Sequence, residues 1–139
     1  MSDTKNVTLL RVRYSETDQM GTFYNSRVLE WFECGRTELL RSMGTPYAEM
    51  ETRGVLLPLV EAHVEYLGRA RYDDELRVTA SAAMAGRARL RFDVRIDHAP
   101  TGRAVARGYT IHALTGPAGK PIRPPAWFTD ALKSNTSQE

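Results

Sequence analysis

The stretch Tyr14-Ser15-Glu16-Thr17-Asp18-Gln19-Met20-Gly21-Thr22-Phe23-Tyr24-Asn25-Ser26-Arg27-Val28-Leu29-Glu30-Trp31-Phe32-Glu33-Cys34-Gly35-Arg36-Thr37-Glu38-Leu39-Leu40 decides how this chain is read. Its first half is a polar loop in which Gly21 is free to take backbone angles that other residues resist. Its second half changes period. Val28, Trp31 or Phe32, Gly35, Leu39 and Met43 recur at helical spacing, with Glu30, Glu33, Arg36, Glu38 and Arg41 around them. The spacing predicts a helix from about Arg27 to Gly44, where glycine supplies a stop. Gly35 in the middle costs about 1 kcal/mol against alanine, which suits a helix lying close on a sheet. Asp18 therefore stands just ahead of a helix N-terminus whose first N–H groups lack intrahelical acceptors. A carboxylate base beside a row of N–H donors is the equipment of acyl transfer.

Ahead of this stretch, Val7 to Tyr14 reads as a strand. Behind it, Pro46 to Arg53 reads as a short helix, and everything further is strand-like. Val55 to Leu67 is a long strand in which Glu61, His63 and Glu65 alternate with apolar neighbours. Gly68 to Asp74 is a turn, and Glu75 to Ala85 a strand ending at Gly86. Leu90 to Asp97 alternates apolar and charged residues strictly, so one face is buried and the other wet. Pro100-Thr101-Gly102 turns into a last strand, Arg103 to Leu114. A short helix at about 125–132 carries Trp127, Phe128 and Leu132, and the tail from Lys133 is expected to be disordered. One long apolar helix cannot bury itself alone, so the sheet must wrap it.

Composition narrows the function. At 139 residues the chain suits one domain, taken as 1–139 with its core at about 7–115. No apolar run approaches the roughly 18 residues of a membrane helix, and the polar start lacks a secretory h-region. A cytoplasmic protein without membrane attachment is the expectation. A net charge of +2 is too small to announce a nucleic-acid partner. The arginines of the Arg89 to Arg95 strand alternate as a solvated face would, and no aromatic stacking signature accompanies them. Cys34 is the single cysteine, which excludes an internal disulfide and a cysteine-based zinc site. His98 and His112 are too scattered to suggest a metal, so neither metal nor cofactor is expected.

Thr17-Asp18-Gln19-Met20-Gly21, then Trp31-Phe32-Glu33 and Arg36-Thr37-Glu38-Leu39-Leu40-Arg41, resemble the 4-hydroxybenzoyl-CoA thioesterase-like branch of the hotdog superfamily, which includes the YbgC-type acyl-CoA thioesterases. Glu61 to Leu67 and Ala70 to Leu76 look like that family's second and third strands. The resemblance covers about Val7 to Leu114. It implies an α+β hotdog fold, a five-stranded antiparallel sheet wrapped around one long central helix. It also implies dimers or tetramers of this chain, with sites at subunit interfaces, acting on acyl-CoA or acyl carrier protein thioesters. The family's catalytic aspartate falls on Asp18, and its backbone oxyanion donor on Tyr24 or Asn25. Two positions depart from the pattern: Arg27-Val28 stands where the family commonly has Asn-Tyr, and Arg69-Ala70 where it has Pro-Ala.

Other residues carry weaker signals. Gly21, Phe23, Arg27, Glu61 and His63 are candidates to line the substrate site, and Arg69, Arg71 and Arg123 to meet the CoA phosphates. For each there is a plainer role. Asp18 caps a turn, Arg27 pairs with Glu30, Glu33 pairs with Arg36, His63 is structural, Trp31 and Phe32 pack the helix, and Cys34 is a small packed residue. A non-catalytic acyl-CoA-binding or scaffold protein of the same fold is the alternative to a thioesterase.

Overall fold

The computed structural model describes residues 4–136, and the side chains of 4–133. Its elements in chain order are β1 (Thr4–Arg11), a single 3-10 turn (Tyr14–Glu16), α1 (Arg27–Ser42), α2 (Tyr47–Thr52), β2 (Leu59–Tyr66), β3 (Glu75–Met84), β4 (Arg89–His98), β5 (Ala104–Ala113) and α3 (Ala126–Thr136). The five strands form one sheet in the order β1-β3-β4-β5-β2, every pair antiparallel. This is the five-stranded α+β hotdog architecture that the sequence resemblance implies.

β1 starts at Thr4, three residues before the expected Val7, and three further boundaries differ appreciably from the sequence reading. β1 ends at Arg11 rather than Tyr14, because the chain tightens into the 3-10 turn. β2 begins only at Leu59, after Pro58, which has no N–H to give to a ladder. The C-terminal helix runs through Thr136, so the tail expected to be disordered from Lys133 is helical there. Residues 1–3 and 137–139 lie outside the described residues.

The helical period explains what α1 buries. Val28, Trp31, Phe32, Gly35, Leu39 and Leu40 are its buried residues, and fully burying each large apolar side chain stabilises by roughly 1.5–3 kcal/mol. They pack on β1, β3 and β4, whose inward residues Leu76, Val78, Ala80, Phe92, Val94 and Ile96 are buried. Gly35 sets how near the helix lies. A Cβ built there would meet Val78 Cγ1 at 2.8 Å and Ala80 Cβ at 3.5 Å. Helix α3 packs on β1, with the Thr4 hydroxyl donating to the Leu132 carbonyl at 2.7 Å and Phe128 buried in the same core as α1. At the opposite edge, β2 pairs among the described residues only with β5, and Leu59, Val60, Tyr66 and Leu67 stand exposed along it.

The close approach at Gly35 makes a direct prediction. Gly35→Leu must push the helix off β3, and overpacking of this kind costs about 1–3 kcal/mol. Chemical denaturation should show a stability loss of that size. An unchanged midpoint would mean that the helix can shift freely on the sheet.

Candidate functional site

The Asp18 loop is built on a buried carboxylate that the sequence did not single out. Glu16 is 4% exposed. Its Oε1 accepts the Arg13 backbone N–H at 2.7 Å, and its Oε2 accepts the Trp31 indole N–H at 3.0 Å. The Arg13 guanidinium approaches Oε2 at 3.4 Å. Glu16 thus ties the end of β1 to the first turns of α1. Beyond it the chain makes a small hairpin. The Asp18 N–H donates to the Thr22 carbonyl at 2.9 Å, and the Gly21 N–H to the Asp18 carbonyl at 3.1 Å. Gly21 adopts φ +79°, the left-handed region that glycine enters without strain. The Met20 N–H donates to Asp18 Oδ1 at 2.8 Å. Asp18 does cap a turn, but with one oxygen. Its side chain is exposed, and Oδ2 has no partner among the described residues.

At the helix entry, N–H groups divide into engaged and open ones. Phe23 donates to the Ala70 carbonyl at 3.1 Å and Tyr24 to the Glu16 carbonyl at 2.9 Å. Arg27, Val28 and Leu29 donate to the carbonyls of Tyr24, Asn25 and Ser26. The backbone N–H groups of Asn25 and Ser26 have no acceptor among the described residues. Of the two expected oxyanion donors, Tyr24 is therefore corrected: its N–H is already committed to the Glu16 carbonyl. Asn25 is held in place by Tyr66, whose hydroxyl donates to the Asn25 carbonyl at 2.9 Å. Phe23 is buried, with its ring 5.0 Å from that of Trp31 and 6.3 Å from that of Tyr66. It is a core support beneath the loop rather than an open acyl contact.

Other expected site residues lie elsewhere. Glu61 and His63 point to the face of the sheet away from α1. In the register His63 stands opposite Tyr109, and Tyr109 opposite Asp93, which alternates with the inward Phe92 and Val94. Glu61 accepts the Tyr109 hydroxyl at 2.6 Å, and the His63 ring stacks on Tyr109 at 5.4 Å. Neither approaches Asp18 within one chain. Arg27 makes the plain pair: its Nη1 reaches both Glu30 oxygens at 3.1 and 3.0 Å, and its Nη2 donates to the Ser15 carbonyl at 3.2 Å. Arg69 and Arg71 flank the buried Ala70, which is pinned to the Asp18 loop by Thr22 Oγ1 and the Phe23 N–H. Arg123 follows Ile122, which bonds to Leu114 beyond the end of β5. It therefore sits at the other end of the sheet, about 30 Å of strand away.

A cavity of about 120 Å³ opens beside α1 between Glu33, Arg36, Thr37, Leu40, Tyr47, Leu57, Phe92 and His112. The expected Glu33–Arg36 ion pair is not formed; no bridge joins them within 4.0 Å. The half-buried Arg36 guanidinium instead lies 5.9 Å from the Phe92 ring centre. Burial lowers its pKa, and the nearby Glu33 charge opposes that shift. His112 is buried, with Nδ1 2.9 Å from the Leu57 carbonyl and Nε2 3.0 Å from Thr110 Oγ1. Burial pushes its pKa below the ordinary imidazole value, against the opposing Leu57 hydrogen bond. Cys34, expected to be packed, is exposed, because it falls on the helix face away from the sheet. Glu16 and Tyr66 gave no sequence signal of their own, since each acquires its role only when distant segments meet, and Arg36 was read only as the partner of Glu33.

The profile of the Thioesterase-like superfamily matches residues 12–132. The chain belongs to that superfamily. It is similar to a Bacillus subtilis protein named "Putative acyl-CoA thioesterase YneP", 47% identical over 57 residues, which is 41% of this chain and 41% of the relative. Over greater lengths it resembles solved structures. A hypothetical protein from Thermus thermophilus is 32% identical with a TM-score of 0.85, covering 92% of this chain and 97% of that one. A DHNA-CoA thioesterase from Staphylococcus aureus is 27% identical with a TM-score of 0.83, covering 96% and 89% respectively.

The Glu16 tie should be measurable. Trp31→Phe removes the indole N–H from a buried carboxylate, and a hydrogen bond to a charged group contributes about 1.5–3 kcal/mol. Denaturation of Trp31→Phe should show a loss in that range. A loss below a few tenths would mean that Glu16 is held by the Arg13 contacts alone.

Proposed function

We propose that this protein is a thioester hydrolase acting on an acyl-CoA or an acyl carrier protein thioester, with Asp18 as general base or nucleophile. The observation that carries this reading is the Asp18 carboxylate itself. One oxygen is fixed by the Met20 N–H and the other is open to solvent, in a loop framed by Glu16 and followed by the unengaged N–H groups of Asn25 and Ser26.

The chemistry requires little more. A thiol with a pKa near ~8.5 leaves as thiolate without full protonation. In one route Asp18 takes a proton from water as its oxygen bonds to the thioester carbon. In the other, Asp18 attacks that carbon and the resulting anhydride is hydrolysed. In both, negative charge collects on the former carbonyl oxygen, and the C–S bond breaks as the tetrahedral centre collapses. The Asn25 N–H, at the positive end of the α1 dipole, is the donor assigned to that oxyanion. Arg69 and Arg71, whose guanidinium groups have no ion-pair partner among the described residues, are assigned to the nucleotide phosphates. Arg123 would meet the same ligand only from a second copy.

A second copy is part of this reading. β2 is an open strand edge bordered by exposed Leu59, Val60 and Leu67, and such edges are normally covered or paired. Two-fold pairing of β2 with itself closes the edge and extends the sheet. Light scattering at micromolar concentration should show at least a dimer. A stable, active monomer would contradict the pairing.

Asp18→Asn tests the chemistry. The amide oxygen still accepts the Met20 N–H, so the turn keeps its shape while the base is lost. Thiol release across an acyl-CoA panel should fall by on the order of 100- to 10,000-fold, with circular dichroism unchanged. A folded variant with near wild-type turnover would remove Asp18 from the mechanism. A wild-type protein that binds acyl-CoA without releasing thiol would be a scaffold rather than an enzyme.

A further inference from the structure

The cavity beside α1 has no part in the chemistry above, and the pairing of two copies gives it one. Glu33, Arg36, Thr37 and Leu40 recur at helical spacing along one stripe of α1, and Tyr47, Leu57, Phe92 and His112 close the opposite wall. The volume of about 120 Å³ holds roughly four water-sized groups, enough for the end of a short acyl chain. Its polar lining is unbalanced. The Arg36 guanidinium has no hydrogen bond or ion pair among the described residues. The Tyr47 hydroxyl accepts the Leu57 N–H at 3.1 Å, which leaves its own proton to donate. His112 adds nothing, since both its ring nitrogens are engaged. Glu33 is the carboxylate acceptor in the lining, and its charge offsets that of Arg36. Donors in excess with no net charge suit an uncharged oxygen, keto or hydroxyl, better than a carboxylate or an alkyl end.

Strand β2 decides whose thioester reaches this cavity. Leu57 and Leu59 mark its start, where Leu59 pairs with His112. Tyr66 marks its end, where the hydroxyl bonds Asn25 and the ring stacks on Phe23. The cavity therefore sits by the start of β2 and the Asp18–Asn25 loop by its end. Within one chain Arg36 is eleven residues past Asn25, about 16 Å along the helix, beyond a short acyl group. Two-fold pairing of the β2 edges runs them antiparallel and sets the start of one against the end of the other.

We propose that Arg36 of one copy reads an uncharged oxygen on a short acyl group held at Asp18 of the second copy. The inference rests on the thioesterase reading and on the paired dimer. The test compares kcat/KM for thioesters that differ by one oxygen: acetoacetyl-CoA and 3-hydroxybutyryl-CoA against 3-methylbutanoyl-CoA, and 4-hydroxybutyryl-CoA against pentanoyl-CoA. The wild-type protein should favour the oxygen-bearing member of at least one pair by about tenfold or more, as one hydrogen bond to a charged group supplies. Arg36→Met, similar in length but without donors, should bring that ratio close to one. No preference in any pair, or a preference that survives Arg36→Met, overturns the inference and leaves thioester hydrolysis standing.

A mixed dimer of Asp18→Asn and Arg36→Met chains, purified through two different tags, checks the arrangement between copies. It should keep the wild-type ratio, because one of its sites then joins an intact Asp18 to an intact Arg36. The Arg36→Met ratio in that dimer would place both residues in one chain and overturn the inference. If the wild-type protein hydrolyses no thioester, the thioesterase reading fails, and the cavity is tested without turnover. Ligand-observed NMR should then show Arg36-dependent preference for 3-hydroxybutyrate over 3-methylbutyrate, and no preference overturns the cavity reading as well.

Discussion

The contact between Gly35 and Val78 governs the geometry of the whole molecule. A helix whose middle residue has no side chain can lie against β3 closely enough that even a methyl group would meet Val78 Cγ1 at 2.8 Å. That nearness lets Trp31, Phe32 and Leu39 reach into the sheet and become buried. The helix pays about 1 kcal/mol in propensity for its glycine, and the packing around it outweighs that loss several times over. α1 packs mainly on β1, β3 and β4. The Glu33–Arg36 cavity opens between the helix and His112 of β5, and Tyr66 at the end of β2 meets Asn25.

The candidate site follows from this asymmetry through Glu16. A carboxylate this deeply buried is strongly destabilising unless its oxygens find donors. Here the donors come from both sides, the Arg13 backbone and the Trp31 indole. Satisfying Glu16 therefore positions the end of β1 relative to α1 and leaves the intervening hairpin to project. The Glu16 carbonyl also takes the Tyr24 N–H, so the open donors at the helix entry are those of Asn25 and Ser26. One residue thus fixes the loop that carries Asp18 and determines which backbone groups remain available beside it.

Much of the fold was legible because burial on one face writes a period into the sequence. The helical recurrence of Val28, Trp31, Gly35, Leu39 and Met43 and the alternation of Leu90 to Ile96 both match what is buried; Asp97, expected on the wet face, is buried and accepts the Arg95 Nε–H at 2.9 Å. Strand ends were read less well, since Arg11 to Tyr14 and Val55 to Pro58 have strand-like composition but are turned by contacts that arise only in the folded chain. The Asp18–Gly21 turn and the helix entry were also legible, because turns and helix starts are local chemistry. What could not be read was long-range pairing. Glu33 and Arg36 have the right spacing for an ion pair, yet Arg36 lies against Phe92. His63 has the composition of a site residue but the parity of the outer face.

Arg27 shows how a departure from a family pattern can be absorbed structurally. On the reading proposed above, a guanidinium beside the Asn25 N–H would alter the chemistry there if it turned toward the ligand. Its two ends are instead held, Nη1 by both Glu30 oxygens and Nη2 by the Ser15 carbonyl. The Glu30 pair is solvent-accessible and contributes little to stability by itself. Its effect is orientational, because a fork with partners on two of its nitrogens has fewer ways to reach another ligand. The Ser15 contact adds a link between Arg27 and the 3-10 turn that holds Glu16. Arg27 thus links the start of α1 to the 3-10 turn ahead of the Asp18 loop, while Asp18 keeps one carboxylate oxygen without a partner among the described residues.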